Sequence, residues 1–350
     1  MRIGITYDLK EPSPTSPAVA PSAGLPDDFY EEFDSIDTID AIARVLTDLG
    51  HDVEKLGDGR ELIQRLLSDP PELVFNFAEG QGVGRTREAR VPALLEMLNI
   101  PYTGSDPLTF AVTLDKDCAK RLVASENIGV PAGAVIAPGE VSHADIEALE
   151  SDLRFPLIVK PAWEGSSKGI RSTSLVSAPG ELAEVIARMG RDYRQPVLVE
   201  EFIDGDEITV GVLGNEKPAV MGVMRVVPTE ATARFVYSLE VKRDFRKRVR
   251  YECPAPVPAE ALVSVEEAAL EVYRVLGCRD VARIDFRLRE GVPYFLEANP
   301  LPGLTPGVSD LVIMAELLGW NYSRLVEAIL KAALDRLGRS GVREAETVTC

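Results

Sequence analysis

Histidine is almost absent from this chain of 350 residues: His51 and His143 are the only two. A metal site built on histidines is thereby excluded, and imidazole acid–base catalysis has few candidates. Cysteine is scarce too. Cys118, Cys253, Cys278 and Cys350 show no CxxC spacing, which speaks for a reducing, cytoplasmic setting and against a disulfide framework. No apolar run approaches the roughly 18 residues of a membrane span. The opening MRIGITYDLK reads as a strand, not as the apolar core of a signal peptide. Positive charge is also in short supply: 38 Lys and Arg against 56 Asp and Glu give a net charge of −18. Such a chain repels nucleic acid and anionic membranes, so neither is an expected partner.

What is present is a globular composition, 45% hydrophobic and 27% charged. At about 150 residues per domain the length suggests two or three units. One segment reverses the prevailing charge. Residues 242–250 (KRDFRKRVR) hold six basic side chains in nine, with only Phe245 as an interleaved aromatic. There is no internal repeat.

The patterning divides the chain. Strand-like 2–7 is followed by a Pro/Ser/Ala-rich loop over 11–28. A helical period over 37–49, strands at 52–56 and 73–77, helices at 61–67 and 87–98, and a short strand at 100–102 complete a βαβ series. That predicts an α/β unit with a parallel sheet. From about Leu114 the reading changes to α+β with antiparallel pairing. It places a helix at 115–126 and strands at 134–137, 156–160 and 170–176, then a helix at 178–188 and a strand at 196–201. Further strands are expected at 207–213, 219–226, 237–241, 281–288 and 294–298, with helices at 259–276, 311–318 and 323–337. The boundaries are residues 1–113, 114–203, 204–338 and a polar tail, 339–350.

Several familiar motifs fail. Gly165-Ser166-Ser167-Lys168-Gly169 matches GxSxG, but a strand is expected after it and no His lies beyond His143. There is no GxxxxGK[ST], and Gly80–Gly84 lacks GxGxxG spacing. No glycosidase carboxylate pair stands out.

Three segments carry chemistry. First, with a hairpin centred on Gly291, Asp285 opposes Glu297 and Arg283 opposes Asn299. All four then share one face, with Ile284, Phe286, Leu296 and Ala298 on the other. Opposed carboxylates repel unless a cation sits between them, and an all-oxygen donor set suits Mg²⁺ rather than zinc. A solvated strand face is the plainer alternative. Second, Val159–Ile170 reads as a buried strand ending in Lys160 and a Gly/Ser turn; such a loop cradles phosphates or simply turns the chain. Third, Val197–Ile203 runs an apolar strand into Gly205-Asp206-Glu207, offering an adenine slot with a ribose-binding carboxylate, or a plain strand-to-turn.

Taken in order, LDKDCAKRL (114–122), KPAWEGSSKGI (160–170), LVEEFIDGDEITVGVL (198–213), ARIDF (282–286) and FLEANPLPGLTP (295–306) resemble the ATP-grasp superfamily, most closely the D-alanine–D-alanine ligases. VFNFAEG (74–80) and NIPYTGSDPLT (99–109) are similar to that family's N-terminal domain. The likeness runs from Met1 to about Leu337. It implies an α/β N-terminal domain followed by an ATP-grasp module of two subdomains. It also implies an ADP-forming ligase of peptidoglycan synthesis using ATP and two Mg²⁺ ions, or Mn²⁺. The substrates are amino acids or small peptides, and a homodimer is expected by resemblance alone.

By the same resemblance, Lys116 and Lys160 hold ATP phosphates and Ser166 and Ser167 close over them. Glu200, Glu201 and Ile203 form the adenine linker, and Glu207 binds ribose. Asp285, Glu297 and Asn299 bind metal. Arg283 and the Gly303 N–H stabilise the tetrahedral intermediate, and Lys242 reaches the transferred phosphate from a mobile, basic lid. In ungapped register Glu32 takes the first substrate's ammonium. Four positions depart from the family: Lys168 replaces an apolar residue, Arg243 a tyrosine, Glu79 a histidine, and Ser309 stands displaced from the serine that grips the second substrate. A ligase for another amino acid or peptide, with an acidic acceptor drawn by Lys168 and Arg243, is one alternative. A non-catalytic ATP sensor is another.

Overall fold

The computed structural model describes residues 1–10, 26–139 and 141–339. The loop expected at 11–28 and the tail at 339–350 therefore lie mostly outside the described residues. Residues 26–28 are described, and Asp28 there is fully buried, accepting hydrogen bonds from Gly169 N (2.9 Å) and Tyr193 Oη (2.7 Å).

The chain begins with β1 (Arg2–Tyr7), α1 (Ile36–Asp48), β2 (Asp52–Gly57), α2 (Gly59–Ser68), β3 (Leu73–Phe77), α3 (Arg90–Met97) and α4 (Pro107–Leu114). The strands form a parallel sheet in the order β2-β1-β3. Ile3, Ile5, Leu73 and Phe75 are buried in its core, as expected for strands covered on both faces. The strand expected at 100–102 is only a bridge between Val74 and Tyr102.

Next come α5 (Lys116–Ser125), β4 (Gly133–Ile136), α6 (His143–Asp152), β5 (Leu157–Pro161), β6 (Leu175–Val176), α7 (Leu182–Tyr193) and β7 (Val197–Glu201). Their antiparallel sheet has the order β4-β7-β5-β6 and its own core beneath α6 and α7. The strand expected at 170–176 shrinks to two residues. Arg171 N donates to Ser174 Oγ (3.0 Å), which donates to Gly169 O (2.9 Å). These side chain–backbone bonds compete with a ladder and form a 3₁₀ turn at Ser172–Ser174.

The remainder comprises β8 (Asp206–Gly214), β9 (Ala219–Pro228), α8 (Leu239–Arg243), α9 (Phe245–Arg248), β10 (Val249–Glu252), α10 (Ala259–Val275), β11 (Asp280–Arg289), β12 (Val292–Asn299), α11 (Asp310–Leu317) and α12 (Tyr322–Arg336). The antiparallel sheet runs β10-β9-β8-β11-β12. The expected strand at 237–241 is replaced by α8. Its alternating apolar residues have no pairing partner, and only Leu239 of the helix is buried. No helix among the described residues is long and apolar enough to cross a membrane.

The hairpin reaches its expected pairing by a different route. The turn is Glu290-Gly291, both at positive φ (53° and 81°), as a tight two-residue hairpin requires. Arg289 pairs with Val292 and Phe286 with Phe295. A bulge between Asp285 and Phe286 then shifts the register, so that Asp285 pairs with Glu297 and Arg283 with Asn299. Phe295, not Leu296, takes the core place opposite Phe286.

Candidate active site

The site is built where this hairpin, the β5 turn and the N-terminal unit meet around a cavity of about 260 Å³. Alternation along β11 and β12 turns Ile284, Phe286 and Phe295 into the core and leaves Arg283, Asp285 and Glu297 on the opposite face. Arg283 Nη2 lies 2.8 Å from Asp285 Oδ2 and 3.7 Å from Glu297 Oε1. Thr209 Oγ1, from the neighbouring β8, donates to Asp285 Oδ1 at 2.9 Å, and Asn299 Nδ2 approaches Oδ2 at 3.4 Å. Lys116 Nζ lies 3.1 Å from Glu297 Oε2 and also bonds Glu164 O. Burial pushes Asp285 up, and Glu297 across the strand adds to it. Burial acts on Glu297 as well, but Lys116, Arg283 and Lys242 outweigh it and hold that carboxyl well below its ordinary range. The two opposed acids are thus driven apart in proton affinity.

Arg283 is steadied from behind. Its Nη1 lies 3.6 Å from Asp310 Oδ2, and Tyr237 Oη donates to Asp310 Oδ1 at 3.0 Å. Gly303 sits across the cavity. A Cβ there would fall 2.8 Å from Ser309 Oγ, which accepts a bond from Thr305 N at 2.9 Å. Ser309 therefore lies in the site despite its shifted place in the sequence.

A second basic cluster lies beside the first. Lys160 Nζ is 2.5 Å from Glu200 Oε1, and Lys120 Nζ bonds the other oxygen. Lys120 follows Lys116 by four residues, which places both on one helix face; that spacing was the available signal for Lys120. Burial pushes the Lys120 ammonium down to about 7, with Lys160 and Lys116 opposing its charge and Glu200 supporting it. Glu201 turns the other way and accepts Arg154 N at 2.9 Å. Ile203 is buried. Glu207 pairs with Arg287 Nε at 2.7 Å, and Arg287 stacks over Phe202.

The β5 turn adopts left-handed backbone at Ser166 and Ser167 (φ 49° and 59°). Ser166 lines the cavity, while Ser167 Oγ donates to Tyr237 O at 3.1 Å. Beneath the turn lies a buried four-charge cluster. Lys168 Nζ is 2.6 Å from Glu164 Oε2 and 3.2 Å from Glu32 Oε2; Arg87 Nη2 is 2.7 Å from Glu32 and 3.2 Å from Glu164. Gly165 N also donates to Glu32. Burial raises Glu32, but Arg87 and Lys168 overcome it and keep it ionised. Lys168 is thus a partner of these acids rather than an open cation for an acceptor, and Glu32 is already saturated.

The basic run is likewise not an open patch. Of its six cations, only Lys242 lines the cavity, with Nζ 5.1 Å from the Tyr237 ring centroid. Arg243 is paired with Asp27 and Glu31, both at 2.9 Å. Arg246, Lys247, Arg248 and Arg250 are exposed. The cavity therefore gathers Glu32, Lys116, Ser166, Lys242, Arg283, Glu297, Asn299, Gly303 and Ser309. Lys160, Ser167, Lys168, Glu200, Glu201, Ile203, Glu207, Arg243 and Asp285 lie outside its lining. Arg87, Glu164, Thr209 and Asp310 join the network without having been singled out by sequence.

A parallel α/β unit followed by two antiparallel sheets, with buried lysines and paired carboxylates in the cleft, is the architecture of an ATP-grasp ligase. The fold is matched by a solved D-alanine–D-alanine ligase of Bacillus anthracis complexed with ATP, at TM-score 0.71 and 24% identity, covering 97% of this chain and 99% of that one. The VanG D-Ala:D-Ser ligase of Enterococcus faecalis gives TM-score 0.70 at 22% identity, covering 95% and 99%. The family model "D-ala D-ala ligase C-terminus" matches residues 122–331. A D-alanine–D-alanine ligase of Aquifex aeolicus is 34% identical over 297 residues, 85% of this chain and 94% of that protein. One of Ralstonia nicotianae is 38% identical over 242 residues, 68% and 69%. An uncharacterised protein of Sinorhizobium fredii is 33% identical over 312 residues, 87% and 89%. The chain belongs to the D-alanine–D-alanine ligase family and is an ATP-dependent ligase of that type.

Proposed function

We propose that the protein joins the carboxylate of one amino acid or small peptide to the amine of another, using ATP and Mg²⁺. The observation that supports this most is the convergence of Lys116, Arg283, Glu297 and Gly303 on one cavity. A substrate carboxylate oxygen attacks the γ-phosphorus of ATP; the bond to ADP breaks and an acyl phosphate forms. The ammonium of the second substrate gives a proton to water, and the resulting amine attacks the acyl carbon; the C–O bond to phosphate breaks, and phosphate leaves with the amine's second proton. Phosphoryl transfer depends mainly on positioning and charge neutralisation. Lys116, Lys160 and Lys242 supply positive charge around the phosphates, with Lys120 added to the set. Glu200 fixes Lys120 and Lys160. Ile203 and Glu207 line the nucleoside end, where Glu201 offers only its backbone, and Ser166 and Ser167 cover the phosphates.

Asp285, Glu297 and Asn299 fit Mg²⁺. Their donors are all oxygens, and Thr209 holds one Asp285 oxygen in place. When bound, the ions clamp the phosphates and neutralise charge on them. Arg283 and the Gly303 N–H hold the oxyanion of the tetrahedral intermediate. No imidazole is needed, which suits a chain with two histidines. A cytoplasmic homodimer belongs to the same proposal.

Phosphate release from ATP, measured across D- and L-amino acids singly and in pairs, tests this reading. At least one pair is expected to stimulate release with Mg²⁺, and Asp285→Asn to lower it by at least about a hundredfold. No stimulation by any amino acid or dipeptide overturns the ligase reading.

A further inference from the structure

The acidic end of the cavity is only partly compensated. Asp34, Glu79 (just after β3) and Glu88 (just before α3) all line it. Glu88 is 8% exposed. Among the described residues, neither Glu88 nor Glu79 has a hydrogen-bond or ion-pair partner for its carboxylate. Asp34 accepts one bond, from Thr305 Oγ1 at 3.2 Å.

Two of the nearby cations are held elsewhere. Arg87 is held by Glu32, Glu164 and, at 2.6 Å, Trp163 O. Arg87 attracts Glu88 and Glu79 without pairing with either, and Lys116 attracts Glu88 but is bonded to Glu297 and Glu164 O. Lys10 acts on Asp34. Burial pushes Glu79 well above the ordinary carboxyl range, with Glu88 and Glu32 repelling it further. Burial likewise pushes Glu88 and Asp34 to about 7 each. Desolvated carboxylates that form no ion pair are costly, and a single α-ammonium can pair with only one of the three. A second cationic nitrogen on the substrate would supply counter-charge there.

We propose that this protein's substrate carries two cationic nitrogens, as in a diamino acid or a polyamine, and that Glu79 and Glu88 hold the second. The proposal rests on the ligase reading and replaces the acidic acceptor suggested by Lys168 and Arg243. It places the departure Glu79, where the family has histidine, at the centre of substrate choice.

The test compares lysine and ornithine (both configurations) and putrescine with norleucine and norvaline, each with D-alanine, ATP and Mg²⁺. Phosphate release and calorimetric binding are both measured. At least one dicationic compound should exceed the neutral isosteres by about tenfold or more in kcat/KM and in affinity, the scale of a charged hydrogen bond. Glu88→Gln and Glu79→Gln should each erode that preference about tenfold while ADP affinity, which reports folding, stays unchanged. Activity with ornithine or lysine but not putrescine supports the diamino acid; the reverse supports the polyamine. Equal use of norleucine and lysine, or a folded Glu88→Gln variant with its preference intact, overturns the proposal. Release with neutral amino acids alone leaves the ligase reading standing and removes this one. Glu88-dependent binding of a diamine without any phosphate release does the opposite.

Discussion

Lys168 shows how far one residue's role depends on neighbours distant in sequence. In the glycine-rich turn it reads as a cation offered to phosphate or acceptor. Folding instead buries it between Glu164 and Glu32, whose other partner is Arg87. Two acids and two bases then balance inside the protein. Removing one member of a buried set leaves an uncompensated charge and costs about 3–5 kcal/mol. Lys168→Met should therefore lower the denaturant midpoint substantially, while selectivity among second substrates stays as in the wild type. Adding Glu164→Gln should restore part of the stability. A Lys168→Met protein of normal stability with altered selectivity would show that the lysine serves the substrate after all.

At the scale of elements, the hairpin was legible because alternation is rigid: once Asp285 faces Glu297, Arg283 and Asn299 follow. Its turn was not located correctly, since a bulge cannot be seen in a pattern of period two. Two helices were missed although their caps were in plain text, Asp106-Pro107 before α4 and Ser142 with Asp145 at α6. The helix α8 was hidden because Tyr237, Leu239 and Val241 alternate like a strand, and only the absence of a pairing edge decides otherwise. The Glu32–Arg87–Glu164–Lys168 cluster was not legible at all, because its members come from three distant segments. The loop between β12 and α11 carries a prediction of its own. Gly303 faces Ser309 Oγ so closely that a methyl group would fall 2.8 Å from it, so either the loop shifts or the hydroxyl rotates away and gives up its bond from Thr305 N. If the Gly303 N–H serves the oxyanion as proposed, Gly303→Ala should displace it and lower kcat by about a hundredfold, with ATP affinity retained. Ser309→Ala in the same chain should recover part of the loss, because it removes the nearer atom. Full activity in Gly303→Ala would exclude this N–H from the reaction.

Across the whole molecule, one core joins units that lie far apart in the sequence. The middle sheet has its own, built from residues between Ile146 and Val199. The N-terminal sheet has one core of its own, with Leu56, Leu62, Leu66, Val74, Leu95 and Tyr102, and a second that it shares with the end of the chain: Ile3, Ile5, Ile39 and Ile42 pack with Leu304, Leu311, Val312, Leu325, Val326 and Ile329. Asp280 reinforces the junction, accepting Gly104 N at 2.7 Å and gripping Arg336 at 2.8 Å and 3.0 Å. The two ends of the chain should accordingly open together, whereas the middle sheet can open independently. Leu325 is fully buried in the shared core. Its truncation to Ala should cost about 2–5 kcal/mol. Native-state hydrogen exchange then separates the cores. In Leu325→Ala, protection should fall in α12 and equally in β1, more than 300 residues earlier in the chain, while β5 and β7 keep theirs. Loss confined to α12 would mean that the shared packing does not act as one cooperative unit. Parallel loss would establish that the wall of the cavity bearing Glu79 and the wall bearing Gly303 are held in register by a single core.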